Sequence, residues 1–215
     1  MGNTEHDGSL TTSDAAYATR LQSLEAAWWR RALNVQAPYR RKIRQLALGP
    51  TLEIGCGLGR LLQALPAGSI GVDHNASAIS IARTRGLSAF RSDELDQIPV
   101  PPGGFSTVLC AHVLEHMTFD EGVALLRDYA RYAGAGARVV LITPQRAGWR
   151  TDATHVRFVD QDALAELAGA IGAVEERRQS FPFPPVAGHV FPYNEFVYVA
   201  RLGPTHEPSP PVRDS

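Results

Sequence analysis

From Thr51 onward, short apolar runs alternate with segments whose apolar positions recur at helical spacing. The runs at 51–55, 69–73, 87–91, 106–111 and 138–143 have the length of strands, and 58–65, 76–85 and 120–132 read as helices between them. Strand followed by helix, repeated along the chain, predicts a doubly wound, Rossmann-like α/β sheet with parallel strands. Ligands in such sheets bind beyond the carboxyl ends of the strands, so the strand-to-helix junctions are where chemistry belongs. Ahead of this core, Tyr17, Leu21, Leu24, Trp28 and Ala32 mark one helical face. Tyr39, Ile43, Leu46 and Ala47 mark another, closed by Gly49-Pro50. Residues 15–49 are therefore expected to form an N-terminal helical cap on a domain spanning 50–202. The polar stretch 1–14 and the Pro-rich tail 203–215 are expected to be flexible.

Composition narrows the picture. A chain of 215 residues with 44% hydrophobic and 20% charged residues suits one globular domain. A net charge of −1 removes the usual electrostatic argument for a nucleic-acid or membrane-surface partner. No window approaches the ~20 apolar residues of a membrane span. The polar, acidic start lacks the basic and apolar regions of a secretory signal. Cys56 and Cys110 each sit inside an apolar run, as buried thiols of a reducing, cytoplasmic compartment would.

The first junction reads Leu52-Glu53-Ile54-Gly55-Cys56-Gly57-Leu58-Gly59-Arg60. Glycines at alternate positions let the backbone turn sharply and approach a ligand. A dinucleotide site wants its third glycine one residue later, where Arg60 stands, and no Gly-Lys-Ser/Thr ending supports a P-loop. Glu53 would repel a pyrophosphate but suits a cationic amino-acid group. The second junction ends Asp73-His74-Asn75, with an acid placed for a ribose diol. The third offers Asp93, Glu94 and the Leu95 backbone to an adenine edge. Each acid alone reads equally well as a helix N-cap; it is their succession at strand ends that points to a nucleoside.

Together the run Glu-Ile-Gly-Cys-Gly-Leu-Gly at 53–59, Asp73, Asp93-Glu94 and Phe-Ser-Thr-Val-Leu-Cys-Ala-His-Val-Leu-Glu-His at 105–116 resembles the class I S-adenosylmethionine-dependent methyltransferases. The resemblance implies a seven-stranded sheet, mostly parallel with an antiparallel last strand, its C-terminal hairpin formed by 174–181 and 196–202. It implies that Glu53, Gly55, Cys56, Gly57 and Gly59 meet the methionine part of S-adenosylmethionine. Asp73 beside His74 would hold the ribose, Asp93, Glu94 and Leu95 the adenine, and Ala111 would line the pocket.

Methyl transfer is largely a matter of positioning, but an alcohol nucleophile also wants a base or a metal. If the fourth junction turns helical, His112, Glu115 and His116 fall at i, i+3 and i+4 on one face. Out of context this is the His-x-x-Glu-His of inverted zinc proteases, which would need a long helix and a further ligand. Two readings remain: a purely architectural role, or the divalent-metal site of ubiquinone-biosynthesis-type O-methyltransferases, whose Glu-x-x-Glu-His the segment resembles with His112 in place of the first Glu. His and carboxylate donors suit several metals, Mg²⁺ among them. After the fifth strand comes a long segment with Arg146, Trp149, Arg150, Asp152, His155 and Arg157. Its His-Val-Arg-Phe resembles a signature of the small-molecule branch. His155 is a candidate general base or a structural histidine. The aromatic, Pro-rich segment 181–196 reads as an acceptor-pocket wall, a homodimer contact or a plain hairpin connection.

The expected function is S-adenosylmethionine-dependent O-methylation of a polar small-molecule or saccharide hydroxyl, with His116, His155 and Glu115 as catalytic groups. Divalent-metal assistance is a further expectation. The alternatives are N- or C-methylation, or a non-catalytic S-adenosylmethionine-binding protein. The amino-methylating Asp/Asn-Pro-Pro-Tyr/Phe motif is absent, since the fourth strand ends Cys-Ala-His-Val.

Overall fold

The computed structural model describes residues 36–204 and 206. The helical face expected over Tyr17–Ala32 and the end of the tail lie outside the described residues. Helix α1 (Gln36–Leu46) is followed by β1 (Thr51–Ile54), β2 (Ile70–Asp73), α2 (Ala76–Thr84), β3 (Ala89–Arg91), β4 (Phe105–Ala111) and α3 (Phe119–Ala130). Then come β5 (Ala133–Pro144), the short α4 (Arg146–Trp149), α5 (Gln161–Ala170), β6 (Val174–Phe181) and β7 (Glu195–Arg201). The strands form one seven-stranded sheet in the order β3-β2-β1-β4-β5-β7-β6. Strands β1 to β5 pair in parallel, and β7 runs antiparallel to both of its neighbours. The expected doubly wound sheet with its antiparallel last strand is present. No helix among the described residues is long and apolar enough to cross a membrane.

The period of two along β5 decides which core each side chain enters. Val139 and Leu141 join Leu52, Val108, Cys110, Tyr132, Leu164 and Leu167 on the face covered by α3 and α5. Val140 and Ile142 join Ile43 and Leu46 of α1, with Val197 and Val199 of β7, on the other. So α1 caps the sheet as its apolar spacing requires. Both cysteines are free and buried.

Two differences from the sequence reading have physical causes. The stretch 58–65 is not an α-helix: a turn over 57–61 leads into a 3-10 turn at Leu62–Ala64. Gly55, Gly57 and Gly59 all have positive φ, which breaks the helical path before it can start. Helix α5 was not among the expected helices, although Asp160 caps it through Ala163 N and it buries Leu164, Leu167 and Ala168.

The loop after β4 is pinned by α3, whose first turn carries a capping box. Thr118 accepts from Glu121 N, and the Glu121 carboxylate accepts from Thr118 N. Thr118→Ala is expected to lower stability by about 1 kcal/mol in urea unfolding.

Candidate active site

At the first junction, Gly55 N and Cys56 N both donate to Val72 O, at 2.8 and 3.1 Å. Gly57 N donates to Asp73 Oδ2 at 2.8 Å, and Asn75 N donates to Asp73 Oδ1 at 2.8 Å. One carboxylate thus fixes the glycine turn and the start of α2 together. Gly57 needs its φ of +51°, and a Cβ there would meet nothing within 4 Å. Gly55 is obligatory for another reason: a Cβ would run into Val113 Cγ2. Beneath the turn, Glu53 is 2% exposed, and its Oε2 has no hydrogen-bond partner. Burial, reinforced by Asp73 and opposed by Arg60, raises its pKa to about 8.

The third junction is braced internally. Glu94 accepts from Arg91 N at 2.9 Å and pairs with Arg83 of α2 at 2.5 Å, while the more exposed Asp93 pairs with Arg91. Leu95 opens a 3-10 turn that follows. His74 Nδ1 lies 3.5 Å from Asp73, and Ala111 is buried at the end of β4.

The fourth junction departs from the expected helix. His112 takes a left-handed φ of 58°, and only Leu114–His116 coil into a 3-10 turn. His112 consequently points both ring nitrogens at carboxylates: Nε2 is 2.8 Å from Glu195 Oε1 and Nδ1 is 3.4 Å from Glu115 Oε1. Burial alone would lower its pKa, but Glu195 and Glu115 overcome that and raise it to about 10. His112 thus faces two carboxylates, and the cluster of possible ligand atoms found among the described residues does not include it.

A different trio forms. Among the described residues, ligand atoms of Glu115, His116 and His155 lie within 4.8 Å of one another. His116 Nδ1 donates toward Thr154 O and Oγ1, at 3.2 and 3.1 Å. Thr154 Oγ1 donates in turn to Asp152 Oδ1 at 2.8 Å. His155 Nδ1 donates to Trp149 O at 2.6 Å, its ring stacked on the Trp149 indole. Each ring is thus oriented through Nδ1 by a backbone carbonyl. Glu115 is 1% exposed; its Oε1 faces His112 at 3.4 Å, and its Oε2 has no hydrogen-bond partner. Its backbone carbonyl accepts from Val156 N and Arg157 N, which fastens the His155 loop to this turn.

Sequence reasoning missed Glu195, Tyr39 and the brace behind them. The Tyr39 hydroxyl is buried and held protonated, by burial first and then by the charge of Glu195. Gln145, 2% exposed, and Asn194, fully buried, hold each other at 3.1 Å. Asn194 also accepts from Phe183 N at 2.9 Å, tying the 181–196 segment to the end of β5. Arg146 lies over Phe158 and Arg157 over Phe119, both as cation–π pairs.

This is the fold of the class I methyltransferases, with an acid-and-glycine turn at the head of the sheet. The chain belongs to the family described as "Methyltransferase domain", whose model matches residues 29–174. Among solved structures it is similar to a TehB-like SAM-dependent methyltransferase from Corynebacterium glutamicum, 18% identical, TM-score 0.61, covering 87% of this chain and 98% of that one. It is similar to the magnesium protoporphyrin IX methyltransferase of Synechocystis, a structure with bound SAM: 16% identical, TM-score 0.56, covering 92% and 100%. The N-methyltransferase NodS of Bradyrhizobium japonicum is 16% identical, TM-score 0.59, covering 80% and 98%. No curated protein matches the chain.

The geometry at His112 sets an expected titration. Its ring should stay protonated past pH 8 in an NMR titration, and Glu195→Gln should bring its pKa down by removing the nearer carboxylate.

Proposed function

We propose that this protein is an S-adenosylmethionine-dependent O-methyltransferase acting on a hydroxyl of a polar small molecule, a saccharide being the acceptor that best suits its aromatic wall. The donor fits two features of the first junction. The unpartnered, buried Glu53 Oε2 suits the donor's ammonium, and the open space over Gly57 admits close approach to its backbone. Asp73 spends one lone pair of each oxygen on Gly57 N and Asn75 N, which leaves the others for a ribose diol. Asp93 and Leu95 flank the adenine position, with Glu94 serving as their brace. Bound S-adenosylmethionine supplies a sulfonium methyl, whose C–S bond breaks with its electron pair going to sulfur as the acceptor oxygen bonds to carbon.

The observation that carries O-methylation is the trio at the fourth junction. Two imidazoles and a buried carboxylate converge one strand over from the donor turn. Such an array of acceptors serves a nucleophile that has a proton to lose; a neutral amine acceptor needs no such help. Trp149 O and the Thr154 oxygens hold the two rings in place through Nδ1. The segment 181–196 supplies exposed rings, Phe183 and Tyr193, against which a sugar face stacks.

Three outcomes test the reading. S-adenosylmethionine should bind the free protein by calorimetry, and Asp73→Ala should lose most of that binding. At pH 7 the Glu53 carboxyl, with its pKa of about 8, is largely protonated. Pairing with an ammonium requires its ionised form, so binding should release a proton. The measured heat should then depend on the buffer's ionisation enthalpy, and Glu53→Gln should abolish that dependence. With an accepted hydroxyl substrate, His155→Ala should cut kcat by about 10²-fold or more while leaving donor affinity within about threefold. Equal activity in the variant would remove the role given to the trio.

A further inference from the structure

Strand β6 is the last of the sheet, and among the described residues no strand pairs with its outer edge. Residues 174–178 are exposed, Val174 at 71%. An edge of this length invites another strand, and charged side chains and bulges are the usual means of turning one away. Strand β6 carries both: Glu175-Glu176-Arg177-Arg178, and a bulge between Glu175 and Arg177. The charges, however, are not of one sign. Outward from the midpoint between Glu176 and Arg177, each acid is matched by a base at the same distance. In antiparallel pairing of two copies about that midpoint, Glu176 meets Arg177 and Glu175 meets Arg178.

Facing residues in such a ladder must also share a face of the sheet. In a regular strand Glu176 and Arg177 would not, because neighbours alternate. The bulge supplies the change. Arg177 stands opposite Val199, on the side covered by α1. Glu176 turns to the same side to reach Arg138 at 3.1 Å, and Arg138 in turn donates to Leu46 O of α1. Glu175 and Arg178 stand opposite Ala200 and Tyr198, which both belong to the core on the α5 side. Arg177 makes no salt bridge among the described residues, and after burial its charge is the second cause that lowers the pKa of Lys42 on α1. We propose that β6 pairs antiparallel with β6 of a second copy of this chain, about a two-fold axis between Glu176 and Arg177. Residues 174–179 form the shared ladder, and each Arg177 faces the partner's Glu176. An edge charged against other strands thereby selects its own. The pairing does not rest on the methyl-transfer reading.

The test is sedimentation velocity of the full chain over a dilution series, with deuterium exchange read on the same samples. The expected species at high concentration has twice the chain's mass and dissociates on dilution and on raising salt. Amides within 174–179 should exchange more slowly in it than in the dilute monomer. Arg177→Glu breaks no salt bridge among the described residues, yet it sets like charges together on both sides of the axis. It should weaken association by about tenfold or more. Glu176→Arg should do the same. In an equal mixture of the two variants each new charge meets its opposite, so a mixed dimer of near-native affinity should form. Glu176→Arg also gives up the contacts with Arg138 and Arg201. If circular dichroism shows that variant unfolded, Arg177→Glu and the exchange pattern decide between them. A full chain that is monomeric at every concentration would overturn the proposal. So would association that Arg177→Glu leaves unchanged, or slowed exchange confined to residues outside 174–179. Two folded variants that fail to associate on mixing would overturn the register and the proposal with it.

Discussion

Four carboxylates crowd the carboxyl edge of this sheet, and removing their charge from water is the constraint around which the rest is arranged. Glu53 and Glu115 are 2% and 1% exposed, and Asp73 and Glu195 are nearly as sheltered, with side chains 11% and 13% exposed. Each is accommodated differently. Asp73 accepts two backbone N–H groups. Glu195 shares the imidazolium of His112 with Glu115. Glu53, with nothing to meet its second oxygen, is pushed toward the protonated form. An edge built this way has an unspent affinity for positive charge, and the methyl donor it is proposed to bind carries an ammonium and a sulfonium.

The framework that makes this edge was legible in the sequence because it depends on local patterns. Apolar runs of strand length at 51–55, 69–73 and 106–111 became β1, β2 and β4, and the alternation in 174–181 became β6 residue for residue. The glycines of 55–59 declared a turn, yet the same glycines defeated the helix expected to follow it. At the fourth junction one backbone angle made the difference. A regular helix from His112 would have put three side chains on one face, but with its φ of 58° His112 instead lies between Glu115 and Glu195. Nothing in the spacing of residues 112–116 carries that information. Nor could it have supplied Glu195, which reaches His112 across 83 residues of chain, or the pairing of His116 with Thr154 over 38. These contacts are consequences of strand order, and strand order is not a local property.

The family match sharpens the division. It spans residues 29–174 and so takes in the glycine turn, Asp73 and the whole trio. Strands β6 and β7 and the aromatic segment between them lie beyond it, except for Val174 itself. The glycine turn and the trio thus lie in the part of the chain that the family shares, and the aromatic segment lies in the rest. The similar structures, with their porphyrin and N-methylating members, vary in acceptor on a common sheet.

Strand β7 enters the sheet against the direction of its neighbours, so its first residue rather than its last arrives at the edge where ligands bind. Glu195 is placed by pairing with Pro144 on one side and Phe181 on the other. The residues looping out between Phe181 and Glu195 do not set its position; the ladder on either side does. A loop held at both feet by sheet register can change length and composition while the charged partner of His112 stays where it is. Register and side chains divide the work: the ladder places the charged partner of His112, and Asn194, held against Gln145 and Phe183, fastens the segment between the two feet.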